Sequence, residues 1–253
     1  MNLTNFSLNN KVALVTGGTS GIGKMMALAL ARAGAFVWIV STRDNADETI
    51  SEIEQQGSEG AFFQVDVTDS NKLETMLSHI YGVSKKIDIL VNAAGINLRI
   101  PAEDLSLDDW QKTINVNLTA PYCLSQLVVK KMKEKQWGRI INIASLQSLR
   151  AFDDSIPYGA SKGGVMQLTR ALAQSYSKYG ILVNAIAPGF FNTKLTESLF
   201  KDPKKLQTLA GKTMINRNGE ERDLFGISVF LCSDANSYIT GQTIFLDGGF
   251  TAQ

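Results

Sequence analysis

Histidine is nearly absent from this chain: His79 is the only one in 253 residues. A Ser-His-Asp charge system would have to run through it, and His79 lies in a polar helical stretch with no supporting pattern around it. Cysteine is equally scarce. Cys123 and Cys232 are far apart and lack metal-ligand spacing, so both read as reduced, buried thiols of a cytoplasmic protein, and no metal site is expected. No apolar run approaches the roughly 18 residues that a membrane span requires. The amino-terminal MNLTNFSLNN has no basic segment followed by an apolar one, so no secretory leader is expected. An excess of one charge sign is missing too. With 25 Lys and Arg against 24 Asp and Glu, the formal net charge is +1, which gives no electrostatic footprint for nucleic acid or an anionic membrane. The densest basic run, KKMKEK from Lys130 to Lys135, includes Glu134 and ends a predicted helix, as a solvated face does.

Linkers, repeats and low-complexity tracts are also lacking, so 1–253 is read as one domain, long enough to bury a sizeable core. Short, nearly continuous apolar runs recur at 11–16, 36–41, 61–65, 87–92, 139–144, 181–186 and 243–246. Runs of that kind are strands covered on both faces. Amphipathic segments at 22–33, 45–56, 70–82, 107–135 and 158–178 separate them. The alternation predicts βαβ units, hence an α/β fold with a doubly wound parallel sheet and helices on both faces. Only 190–220 breaks the rhythm, and 190–217 is expected to be a mobile lid inserted before the last helix.

The first strand leads into TGGTSGIG, Thr16 to Gly23, and then a helix. Glycines there let the turn tighten and the backbone approach a pyrophosphate seated on the helix N-terminus. The spacing Gly17-x3-Gly21-x-Gly23 differs from GxGxxG, and many such turns bind nothing. Its place at the head of the first βαβ unit makes the cofactor reading the stronger one, with Thr19, Ser20 and Ile22 completing the cradle. An NAD site places an acid at the end of the second strand. This chain has Ser41, Thr42 and Arg43 there, which suit a 2′-phosphate, so NADP(H) is favoured over NAD(H). Asp66, followed by Val67 at the end of the third strand, can accept from an adenine amino group or act as a helix cap, a part that Asp69 or Ser70 fills better. The small residues of NAAG, Asn92, Ala93, Ala94 and Gly95, end the fourth strand where a cofactor would cross the sheet.

Tyr158 and Lys162 stand four apart in YGASK, on one helical face. A solvated Tyr–Lys pair is the ordinary explanation. The small residues between them and Ser145 at the end of the fifth strand favour a chemical one, because ligands of open α/β sheets bind outside the strands' carboxyl ends. A phenol of reference pKa about 10 is a poor base near neutrality, and a nearby ammonium lowers it. In that reading Tyr158 moves a proton, Lys162 tunes it and Ser145 holds the substrate oxygen. Asn117, a poor helix former inside a helical stretch, holds a water that links Lys162 to solvent, unless it serves only an interhelical hydrogen bond.

These motifs, TGGTSGIG, NAAG, Asn117, Ser145, YGASK and PGFFNT (Pro188 to Thr193), stand in the order and spacing of the short-chain dehydrogenase/reductase family, which the chain resembles over essentially its whole length. The resemblance implies seven parallel strands, a homo-oligomer (tetramer or dimer), a catalytic tetrad of Asn117, Ser145, Tyr158 and Lys162, and a small-molecule substrate. It also implies that Pro188, Gly189, Phe191 and Thr193 bind the nicotinamide end. GINLRIPAEDLSLDDW, IINIASLQS, NAIAPGFFNT and TIFLDGGF are similar to the gluconate 5-dehydrogenase and 2-deoxygluconate 3-dehydrogenase branch. That implies a sugar acid or polyol, with Ser145, Gln147, Tyr158, Arg99 and Arg150 on the substrate side. An arginine at a pocket rim binds a carboxylate bidentately, although either arginine can be an ordinary surface residue. The family's 3-oxoacyl-carrier-protein reductases are the alternative, but the positions where they offer basic residues fall near Gln136 and Tyr179. A cofactor-binding sensor without catalysis is a third reading, against which the intact tetrad argues.

Overall fold

The computed structural model describes residues 3–253; Met1 and Asn2, the start of the stretch read for a leader, lie outside the described residues. Seven parallel strands form one sheet in the order β3-β2-β1-β4-β5-β6-β7. They are β1 Val12–Thr16, β2 Phe36–Ser41, β3 Gly60–Gln64, β4 Ile89–Asn92, β5 Gly138–Ile143, β6 Ile181–Pro188 and β7 Thr243–Leu246. Chain order runs outward from β1 to β3, then returns to β4 on the other side of β1. The switch point between β1 and β4 is where such sheets bind ligands.

Alternation of side chains along each strand sorts the apolar runs into two core layers. Ala13, Val15, Val37, Ile39, Ile89 and Val91 face one layer, with Met26 and Leu30 of α1 (Gly21–Arg32), Ile53 of α2 (Asp47–Gln55), and Leu224 and Leu231 far along the chain. Val12, Leu14, Trp38, Val40, Leu90 and Ile140 face the other, against Leu73, Met76 and Ile80 of α3 (Ser70–Ser84) and more distant helices. Both faces are therefore covered, as the continuous apolar strands predict. Asp69 caps α3 by accepting from Lys72 N at 3.2 Å.

The segment 107–135 departs from expectation. It is α4 Leu107–Ile114, a π-helical turn Asn115–Thr119, then α5 Ala120–Lys135. The sequence supplies a cause. In an α-helix the Asn117 carbonyl would accept from residue 121, and residue 121 is proline, which has no N–H to give. The turn widens, the Ala120 N–H reaches back to Asn115 O, and such turns gather at functional sites. Next come α6 (Ile156–Tyr176), two short helices α7 (Glu197–Phe200) and α8 (Pro203–Ala210) in the segment read as a lid, and α9 (Glu221–Cys232). Cys232 is buried, and burial pushes its thiol up to about 12. Cys123 is only half-buried, because it lies toward the outer side of α5. No helix among the described residues is long and apolar enough to cross a membrane.

Candidate active site

Register brings the strand ends level. Thr16 pairs with Asn92, and Asn92 with Asn142. Thr16, which the sequence does not single out, ties the switch point together. Its Oγ1 accepts from Ala93 N and Ala94 N, each at 3.1 Å. Asn92 turns inward, donating to Asn142 Oδ1 at 2.8 Å, and Asn142 donates to Thr169 Oγ1 at 2.9 Å. Its side chain therefore braces the sheet, and the cleft is left to Ala93, Ala94 and Gly95.

The Gly-rich turn fits a phosphate-bearing ligand by two observations. Gly17 has φ +68°, and a Cβ there would lie 2.9 Å from Ala94 Cα; a Cβ on Gly23 would lie 2.4 Å from Gly17 O. The turn thus closes on itself only without side chains. Behind it α1 begins at Gly21 with Ser20 extended (φ −166°) and making no side-chain cap, so its first amide groups remain open to an anion. No acidic residue stands in that first turn. Thr19 is buried beside it.

At the end of β2, Ser41 Oγ accepts from Arg43 N at 3.1 Å, and Arg43 Nη1 donates to Thr19 O at 3.4 Å. The guanidinium is thereby held over the Gly-rich turn, while Thr42 is exposed and its carbonyl accepts from Gln64. Val67 is buried. Asp66 is exposed and turns Oδ1 to Thr68 N and Oγ1, at 2.9 and 2.8 Å.

A cleft of about 480 Å³ runs from this turn across the sheet ends. Gly17, Ser20, Gly21, Ile22 and Gly23 line one end. Ser145, Gln147, Tyr158 and Lys162 line the other, with Arg99 at the mouth and Pro188, Gly189, Phe191 and Thr193 alongside. Thr193 N and Oγ1 both bond to Thr196 Oγ1 at 3.0 Å. Phe191 is buried, and its ring lies 2.6 Å from where a Gly219 Cβ would be.

Three of the four tetrad positions line the cleft; Asn117 stands just behind it. Its Oδ1 accepts from Ile96 N at 2.9 Å, and its Nδ2 donates to Ile96 O at 2.9 Å and Ser161 Oγ at 3.1 Å. The side chain is therefore fully engaged in positioning, and it is the main-chain carbonyl that Pro121 releases. A proline four residues on was the signal in the sequence that could have found this.

Lys162 is buried and donates from Nζ to Ile143 O at 2.6 Å. Burial lowers its ammonium to about 8. Tyr158 differs from expectation. Burial raises its phenol, and a hydrogen bond from Ser145 and the charge of Arg99 pull the other way without reversing it. The Lys162 ammonium makes no hydrogen bond to the phenol. Its Nζ is committed to the Ile143 carbonyl, 5.6 Å from the centre of the tyrosine ring. Ser145 is fixed by a reciprocal arrangement in which its Oγ accepts from Gln147 N at 3.2 Å and its N donates to Ser148 Oγ at 3.3 Å. Ser148 in turn donates to Lys162 O at 2.7 Å, locking the serine loop to α6.

The two rim arginines part company. Arg99 has a left-handed backbone (φ +53°), rare for a side chain of that size, and donates from Nη2 to Leu195 O at 3.2 Å. Arg150 does not line the cleft. Its Nη2 donates to Gln253 O at 2.8 Å, so the sequence-based substrate role is replaced by a contact with the last residue. His79 packs its ring edge-on to Trp38 at 5.7 Å, away from the cleft. Among the described residues no cluster of His, Cys, Asp and Glu could hold a metal.

Residues 17–251 match the family described as enoyl-(acyl carrier protein) reductase. The chain belongs to the short-chain dehydrogenase/reductase family. It is 37% identical to the gluconate 5-dehydrogenase of Gluconobacter oxydans, over 97% of this chain and 96% of that one. It is 40% identical to the 2-dehydro-3-deoxy-D-gluconate 5-dehydrogenase of Pseudoalteromonas atlantica, over 98% of each. Among solved structures, a gluconate 5-dehydrogenase from Burkholderia cenocepacia in complex with NADP and tartrate superposes with a TM-score of 0.92 at 35% identity, covering 99% of both chains. Membership makes the chain an NAD(P)-dependent oxidoreductase acting on CH–OH groups.

Proposed function

We propose that this enzyme interconverts a secondary alcohol and a ketone on a sugar acid, with NADP(H) as the preferred dinucleotide. The observation that carries the reading is Arg99 at the mouth of the cleft, close enough for its charge to act on Tyr158. A guanidinium there binds the carboxylate of a short acid whose reacting carbon lies at the tyrosine. The names of the relatives agree with that chemistry.

Tyr158 is the proton carrier. A phenol held above its ordinary value is protonated at neutral pH, so it is ready to donate to a carbonyl oxygen as a ketone is reduced. Ser145 orients that oxygen by a second hydrogen bond. Lys162 has two tasks, binding the dinucleotide and passing a proton toward solvent through a water at the Asn117 carbonyl. When bound, the nicotinamide supplies or accepts the hydride. Gly17, Gly21 and Gly23 with the amides of α1 hold the diphosphate, Arg43 a 2′-phosphate, and Phe191 and Thr193 the carboxamide. The segment 190–217 closes over the site through the Arg99–Leu195 contact. Gln147, beside Ser145, faces the substrate.

The chain is cytoplasmic and a homo-oligomer in this reading. Leu107, Tyr122 and Tyr238 are exposed apolar or aromatic side chains of the kind that assemblies cover. The acyl-carrier-protein alternative lacks cationic side chains at Gln136 and Tyr179. The test is a substrate panel of keto-sugar acids, polyols and an acetoacetyl thioester, each with both cofactors. Keto-acid reduction lost in Arg99→Met supports the proposal; a thioester turned over faster than every sugar acid overturns it.

A further inference from the structure

Behind the cleft, three phenylalanine rings meet. Phe152 and Phe190 line it, edge to face with centres 6.4 Å apart. Phe250 does not line it, yet it touches both, at 5.4 Å from Phe190 (79° between planes) and 6.5 Å from Phe152 (25°). Phe152 belongs to the loop that follows the Ser145–Gln147 turn. Phe190 belongs to the loop that precedes Phe191 and Thr193. Neither loop is part of a helix or strand at that point, so the position of this aromatic wall depends on what supports it from behind.

The support is a strap, Asp247–Gln253, with a defined set of bonds. Asp247 folds it by accepting from Gly249 N at 2.9 Å, and from Thr251 N and Oγ1 at 2.9 and 2.7 Å. Arg150 holds its far end through Gln253 O, and Gln253 Nε2 reaches back to Lys212 O. Gly248 and Gly249 have positive φ, and a Cβ on Gly249 would lie 2.7 Å from Met214 Sδ, so the strap presses on the segment read as a lid. One seven-residue strap thus contacts the serine loop, the loop after β6 and the end of the lid segment together.

We propose that Phe250 is a positioning residue for the substrate, fixing the wall that Phe152 and Phe190 present to the cleft, and that Arg150 acts by holding the strap in place. This gives Arg150 a role in substrate affinity without contact with substrate. The wall faces the carbon chain of the bound ketone, so its loss loosens substrate in ground and transition state alike. It leaves the Gly-rich turn, at the other end of the cleft, undisturbed.

The inference rests on the reading of the cleft as a ketone and alcohol site. Its test uses the full chain and whichever keto acid the wild type reduces best. Phe250→Ala is expected to raise KM for the ketone about 10-fold, with kcat within about two-fold, as a loss of uniform binding does. The Kd for NADPH, measured by fluorescence titration, stays at the wild-type value. Phe250→Tyr restores KM, because the ring survives. Arg150→Met, an exposed change that spares the aromatic cluster, raises KM about three-fold and serves if Phe250→Ala does not fold. An unchanged KM in both variants with only a lowered melting temperature overturns the inference, as does loss of NADPH binding together with kcat. A wild type that reduces no ketone overturns the underlying reading instead, and the inference with it.

Discussion

Asn117 reaches the backbone of Tyr158 through one intermediary. Its Nδ2 donates to Ser161 Oγ at 3.1 Å, and that hydroxyl donates to Tyr158 O at 2.7 Å. The π-helical turn and α6 are therefore a single positioning unit. Ser161→Ala removes both of these bonds and leaves Asn117 its two bonds to Ile96. It is expected to cost about 0.5–1.5 kcal/mol of stability and little activity. Asn117→Leu strands both polar groups of Ile96 and should cost about 2–4 kcal/mol with a fall in kcat of at least about 10-fold. Urea unfolding and steady-state rates on the two variants check the contrast.

Lys162 gives a pH dependence of known sign. Its ammonium titrates at about 8 in the folded protein, against 10.5 when unfolded. Between those values the unfolded chain binds more protons, so the lysine's contribution to stability rises with pH there and is at its most unfavourable below about 8. Removing it relieves roughly 3 kcal/mol at pH 7, by 1.36 kcal/mol per pKa unit. The bare Ile143 carbonyl returns about 1–3 kcal/mol of that. Lys162→Met without cofactor is therefore expected to be at least as stable as wild type at pH 7, and to lose ground to it steadily from pH 8 to 10.5. Denaturant midpoints across that range measure it.

Arg43 and Ser41 test the cofactor preference. With Arg43 held at the Gly-rich turn and no carboxylate at the end of β2, NADP(H) should bind about 10-fold more tightly than NAD(H), which is about 1.4 kcal/mol. Arg43→Ala is expected to abolish the difference by weakening NADP(H) alone, and Ser41→Asp to reverse it. Isothermal titration with both cofactors decides; a fall in NAD(H) affinity equal to that in NADP(H) contradicts the assignment.

Gly23 tests the phosphate cradle by size alone, since no positive φ is involved. A methyl there would sit 2.4 Å from Gly17 O. Gly23→Ala should push the turn apart and weaken both cofactors at least about 10-fold. Equal affinities for wild type and variant would mean that the turn does not hold the ligand.

Much of this was legible in the sequence because it rests on local rules. Continuous apolar runs such as KVALVT and IDILVN read as doubly covered strands, and the turn after β1 announces itself by glycines that only a close approach requires. What was not legible depends on neighbours distant in the chain. Arg150 looks like a rim residue until the fold brings Gln253 against it. The i, i+4 spacing sets the Lys162 ammonium beside the Tyr158 phenol, but the end of β5 offers the Ile143 carbonyl at 2.6 Å, and Nζ donates there rather than to the phenol. The break after Ile114 was written in the chain as Pro121 four residues past Asn117, a spacing with a plain physical consequence that helical periodicity alone passes over.

If Tyr158 carries the proton of a dinucleotide-dependent alcohol–ketone exchange, one paired measurement on Tyr158→Phe shows it. The hydroxyl is the only group removed, and the ring stays in place. Turnover of the best keto-acid substrate should fall by about 10²–10⁴-fold or more, while the NADPH dissociation constant, titrated by fluorescence on the same preparation, stays within about two-fold of wild type. Turnover within about 10-fold of wild type, in a variant that still binds NADPH, would contradict the account.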